Sequence, residues 1–230
     1  LRGETLARRQ FAGDPALRAR LMLSMAGLTS ELDEQDRSLA LMREAQAAAA
    51  STDDRELQAA IDCALAADLV AQPDAARAAA MFDAALRQLA ASSASNPTSH
   101  AACLNQRAMR GFESGALADS VRDSRAALAA IGTPRPGQRS LVLAIRMNLA
   151  GALARSGDLH GAVASLRQAT DELETVGRGQ TLGAATFHNN LGVLLSHAGD
   201  MQAALTATDR AIALWRGSAS DPTAPLLRNR

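Results

Sequence analysis

Over 230 residues, 24 arginines stand against 24 acidic side chains with no lysine at all, so the chain lacks the basic excess of a nucleic-acid binder. Apolar residues fill 47% of positions but aromatics only 2%, and alanine alone takes roughly a quarter. That balance excludes an all-β fold, which needs runs of Val, Ile and aromatic residues, and predicts closely packed helices. No stretch reaches the roughly 20 apolar residues of a membrane span, so no direct membrane insertion is expected, and no signal peptide is visible.

In chain order, residues 1–12 read as the closing helix of a preceding unit. Asp14-Pro15 places a capping side chain before a proline at a first helical position and opens a helix pair over 14–50. "TDDRE", Thr52 to Glu56, concentrates acid where a helix dipole favours it, at the head of a pair over 52–92. Asn96-Pro97 opens a pair over 97–131. "TPRPGQR", Thr133 to Arg139, reads as a rigid, solvated connection leading into a pair over 135–176. Gly157-Asp158 and Gly199-Asp200 end the first helices of the pairs 135–176 and 178–216, glycine supplying the left-handed C-terminal conformation. Asp221-Pro222 marks 221–230 as the start of a truncated sixth pair. The whole, 1–230, reads as a single helical-repeat domain whose ragged ends imply a longer natural chain.

These pairs share one phase. Ala26, Ala66, Ala108, Ala150 and Gly192 recur at intervals of 40, 42, 42 and 42 residues. Each second helix carries Met42, Phe82, Ser124, Leu166 or Thr208 at one position and Ala45, Ala85, Ala127, Ala169 or Ala211 three further on, which keeps both on one helical face. The third copy departs, with Arg107 and Gly111 where large apolar residues are expected. A single pair of this size cannot bury its apolar face, so the copies must stack into a continuous core.

Leu65, Ala66, Leu69, Ala78, Phe82 and Ala85, and again Leu149, Ala150, Leu153, Gly157, Ala162, Leu166 and Ala169, reproduce the order of large and small residues of the tetratricopeptide repeat family, which the chain resembles over nearly its whole length. The 42-residue period, longer than the usual 34, is similar to the long-helix branch that includes kinesin light chain. The resemblance implies an all-α fold, a right-handed superhelical solenoid of antiparallel helix pairs. A narrower likeness lies in "FAGDPALRARLMLSMAGL", Phe11 to Leu28. Its Phe11, Asp14, Pro15, Leu17, Arg18, Ala19 and Leu21 resemble the segment leading into the repeats of certain bacterial serine/threonine protein kinases of eukaryotic type. None of the kinase catalytic signatures lies in the chain.

Gln106, Asn148 and Asn190 share one slot on the first helices, with Asn105 and Asn189 beside two of them. An amide adds little to a helix interior but offers both a donor and an acceptor. In related solenoids asparagines in this slot hold a ligand's main chain, so the resemblance makes Asn148 and Asn190 the peptide clamp, with Gln106 weaker; the alternative is bonding between neighbouring helices. One turn away stand Met109, Phe112, Met147, Arg155, Val193 and His197, a wall for a short peptide or, for the methionines and Val193, part of the core. Arg155 could meet a carboxylate, though no lysine completes the family's two-carboxylate clamp. His197, near a helix end, is read as a surface residue favoured by the dipole.

Cys63 and Cys103 lack metal-ligand spacing and are read as two buried small hydrophobes. No catalytic constellation is found, and neither metal nor cofactor is expected. The leading reading is a non-catalytic module that binds an extended peptide on a concave face, as the interaction or sensor arm of a larger signalling protein. A scaffold for self-association through the solenoid ends, or for contact with an attached domain, ranks second, and a small-molecule sensor third. A cytoplasmic setting is preferred to a periplasmic one, which would need a membrane span ahead of Leu1.

Overall fold

The computed structural model describes residues 2–69, 75–92 and 96–217. Helices α1 (Arg2–Gln10), α2 (Pro15–Glu31), α3 (Gln35–Ala49), α4 (Arg55–Leu69), α5 (Ala75–Ser92) and α6 (Pro97–Ser114) are followed by α7 (Leu117–Ile131), α8 (Arg139–Arg155), α9 (Leu159–Thr175), α10 (Leu182–His197) and α11 (Met201–Gly217). A 3₁₀ turn, Pro136–Gln138, leads into α8. There is no strand among the described residues, and the fold is all-α. Asp221-Pro222 and the sixth pair expected at 221–230 lie outside the described residues. The chain divides into two compact units, Leu1–Arg110 with Ala129–Ile131, and Gly111–Leu128 with Gly132–Arg230.

In the first unit α1 lies on α2, α2 pairs with α3, α3 passes to α4, and α4 pairs with α5. Asp14 Oδ1 accepts from Leu17 N at 2.9 Å with Pro15 at the first helical position, and Asp54 Oδ1 accepts from Leu57 N at 2.9 Å. Alanines fill the close approaches: Ala19, Ala26, Ala45 and Ala78 are fully buried around Met22 and Ile61. Charge braces the outer helices. Arg8 makes a forked contact to Glu44 at 2.9–3.0 Å, and Arg37 reaches Glu4 at 2.5 Å, so two ion pairs tie α1 to α3. Arg107, in a slot where the repeat wants an apolar side chain, instead pairs with Asp83 at 3.0 Å.

The cysteines correct the sequence reading. Cys63 and Cys103 are buried, each 1% exposed, but they are bonded to each other, joining α4 to α6 across 40 residues. Stacking brings their Cα atoms to 5.7 Å, inside the roughly 4.4–6.8 Å that a bridge spans.

The second unit is punctuated by glycine. Gly157, Gly177 and Gly199 have φ of 91°, 72° and 86°. The amides after them, of Asp158, Arg178 and Asp200, donate back to the carbonyls of Leu153, Leu173 and Leu195 at 2.8–3.0 Å, closing three helices in the same way. Asp158 and Asp200 then cap α9 and α11, accepting from Gly161 N at 2.8 Å and Ala203 N at 3.1 Å. Three-residue turns of this kind make α8–α9 and α10–α11 antiparallel pairs, and α9 packs on α10 between them. Leu149, Leu153, Leu166, Leu191 and Leu195 form the core there. Gly111 shows why the third copy departs from the apolar pattern. A Cβ on it would lie 3.3 Å from the Ala116 carbonyl and 3.4 Å from Ser120 N, so the end of α6 approaches the start of α7 where a larger side chain would not fit.

Candidate peptide-binding face

Asn148 and Asn190 sit at equivalent positions of α8 and α10, the first helices of the second unit's two pairs, and both are half-buried. A half-buried amide must find partners or be hydrated. Asn190 Nδ2 donates to Met147 Sδ at 3.1 Å, which links α10 to α8. Met147 itself packs against the unit's apolar core. Asn148 and Asn189 also have interaction partners in the fold. Of the sequence-derived residues, Asn190 and Met147 are thus brought together, while Asn148 shares their half-buried state.

Arg155 and Phe112 form a second group. Arg155 Nη1 donates to the Phe112 carbonyl at 2.7 Å, and its guanidinium stands 4.5 Å from the centre of the Phe112 ring. The acceptor lies in the last turn of α6 and also takes Gly115 N at 3.3 Å, so Arg155 adds a second donor at that end. Arg155 is thus engaged within the fold while remaining exposed. Gly151 faces the same ring: a Cβ there would sit 3.6 Å from it. Val193 is half-buried, and His197 is exposed in the last turn of α10.

In the first unit, Asn105 is only 7% exposed, with Nδ2 4.0 Å from Met109 Sδ. Its burial leaves little of the side chain at the surface. Met109 is 38% exposed. Gln106 lines a cleft of about 340 Å³ with Leu23, Met42, Thr98 and the two half-cystines. No sequence motif marks this cleft: its walls are mainly small residues on α2, α4 and α6, and only their approach in space makes a concavity.

Two imidazoles are shifted. Burial, helped by Arg210, pushes His188 on α10 below its usual value against the opposing pull of Glu174. Burial and nearby Arg107 do the same to His100. Asp68, 6% exposed, accepts from Ser38 Oγ at 3.2 Å, and burial raises its carboxyl above the usual range. Among the described residues, no three His, Cys, Asp or Glu side chains gather into a metal site, and no helix is long and apolar enough to cross a membrane.

No protein-family model matches the chain, and no curated protein matches it. Solved structures do. BtubC (BKLC) from P. vanneervenii superposes with a TM-score of 0.76 at 22% identity, over 97% of this chain and 91% of that one. Nearly identical TPR-like repeats from Podosopora anserina, designated a kinesin light chain, give 0.68 at 18% identity over 89% and 97%. MamA MSR-1 C2 gives 0.52 at 14% identity over 88% and 99%. Identities this low carry the fold alone, and on that basis the chain has a tetratricopeptide-like helical-repeat fold.

Proposed function

We propose that the chain is a non-catalytic protein-binding module, as tetratricopeptide-like repeats generally are, and that it takes an extended peptide along the first helices of its pairs. The observation that carries this reading is the pair Asn148 and Asn190, half-buried in one slot of adjacent repeats. Asn190 donates to a thioether, a weak acceptor that a peptide carbonyl outcompetes. Met147 then moves aside as an adaptable apolar contact, with Val193 one turn and His197 two turns along the helix that carries Asn190. Gln106 holds the equivalent position of the repeat on α6, in the first unit.

The test takes a partner recovered by pull-down and measures its affinity by titration calorimetry. Asn148→Ala and Asn190→Ala should each weaken binding by about fivefold, corresponding to about 1 kcal/mol per hydrogen bond. Unchanged affinity in both variants, with helical circular dichroism intact, would reject the clamp.

Self-association is the second reading, favoured by Leu28 and Leu32, 61% and 70% exposed at the end of α2. Sedimentation over a range of concentrations separates the two, since a strict monomer removes it. The wider role, an interaction arm of a signalling protein such as a kinase, rests on the seven residues between Phe11 and Leu21 that carry that likeness.

A further inference from the structure

We propose that Cys63 and Cys103 are a covalent modification site of the mature protein: their bridge is installed by oxidation during folding, and the chain works in an oxidising compartment. These are the chain's two cysteines, and each is bonded to the other. Cys63 on α4 and Cys103 on α6 stand beside Ala64 and Ala102, and all four line one cleft. The folded chain holds their Cα atoms 5.7 Å apart, within a bridge's reach.

Such bonds persist in oxidising compartments and are scarce in a cytosol kept reduced by thiols. Exposure of 1% at each half-cystine keeps an attacking thiolate from the sulfurs until the helices part, which makes the bridge a standing tie rather than a rapid switch. Both half-cystines also line the cleft beside Gln106, so the tie fixes the spacing of two of its walls. The chemistry is thiol–disulfide exchange. The two thiols give up two protons and two electrons to a disulfide oxidant of the glutathione class, which leaves as two thiols.

The test refolds the reduced chain in glutathione and glutathione disulfide, blocks free thiols with iodoacetamide and digests it without reductant. The expected result is a linked peptide pair containing Cys63 and Cys103 with neither cysteine alkylated. The oxidised chain should melt on the order of 10 °C above the Cys63→Ala/Cys103→Ala variant, whose loop is open. A folded chain with both cysteines alkylated, or equal melting temperatures, would overturn the tie. The peptide map stands on the wild-type chain even where the variant does not fold. Dithiothreitol added to the native chain should reduce it slowly, and faster as urea is raised; reduction as fast as in the unfolded chain would overturn the shielding. Alkylating thiols in the cells that make the protein should find the pair bridged, and a reduced pair there would overturn the compartment.

Discussion

The two units are built from one repeat yet held by different means. The first is cross-braced: Arg8–Glu44 and Arg37–Glu4 tie α1 to α3, and a covalent bond ties α4 to α6. The second has its own ion pairs, Arg146–Glu172 and Arg210–Glu174, and shares aspartate caps and an apolar core with the first, but adds the glycine stops at 157, 177 and 199. A covalent tie marks one unit and glycine-set turns the other, and Asn148 and Asn190 lie on helices closed by such turns.

The largest test of this contrast is Leu166→Ala, at a position 1% exposed on α9. It should cost about 3 kcal/mol by urea denaturation, with hydrogen-exchange protection falling in the second unit. Equal loss in the first would dissolve the distinction.

Next comes Gly157→Ala, which forces a side chain to φ of 91°. About 1 kcal/mol should be lost by the same measurement. No loss would mean that the turn is not set by its glycine.

Acid gives the finest discrimination. The Arg37 guanidinium beside Glu4 holds its carboxyl below the usual value of 4.5. The stabilisation from that pair is therefore complete above this value and lost as pH falls through the native one. Burial holds the His188 imidazole below its usual 6.5, so stability falls as pH drops below 6.5, and the loss is complete below the native value. Melting temperatures followed from neutral to acid should show Glu4→Gln flattening only the acid end. His188→Gln should flatten the limb below 6.5 in part, since His100 keeps its own share. A Glu4→Gln effect already present in the upper limb would contradict this assignment.

Much of the fold was legible because its signals are local. Asp14-Pro15, Gly157-Asp158 and Gly199-Asp200 act on their own backbone, and each does so in the structure. What escaped depends on neighbours across space. The pairing of Cys63 with Cys103 has no motif, since a separation of 40 in sequence leaves only the stack to join them. Arg155 is ambiguous in sequence because a guanidinium can serve a ligand or a helix end, and its contact with the Phe112 carbonyl appears only in space. Asn105 and Asn148 likewise share a residue type but differ in burial, which the helix's rotation fixes.

The Gly157-Asp158 dipeptide stops one helix and starts the next within two residues, and Gly199-Asp200 does it again. A hairpin copied with this dipeptide carries its own stop and start and asks nothing of the sequence it lands beside. Growth of such an array by duplication therefore needs no new joint, only a face for the newcomer to lie against.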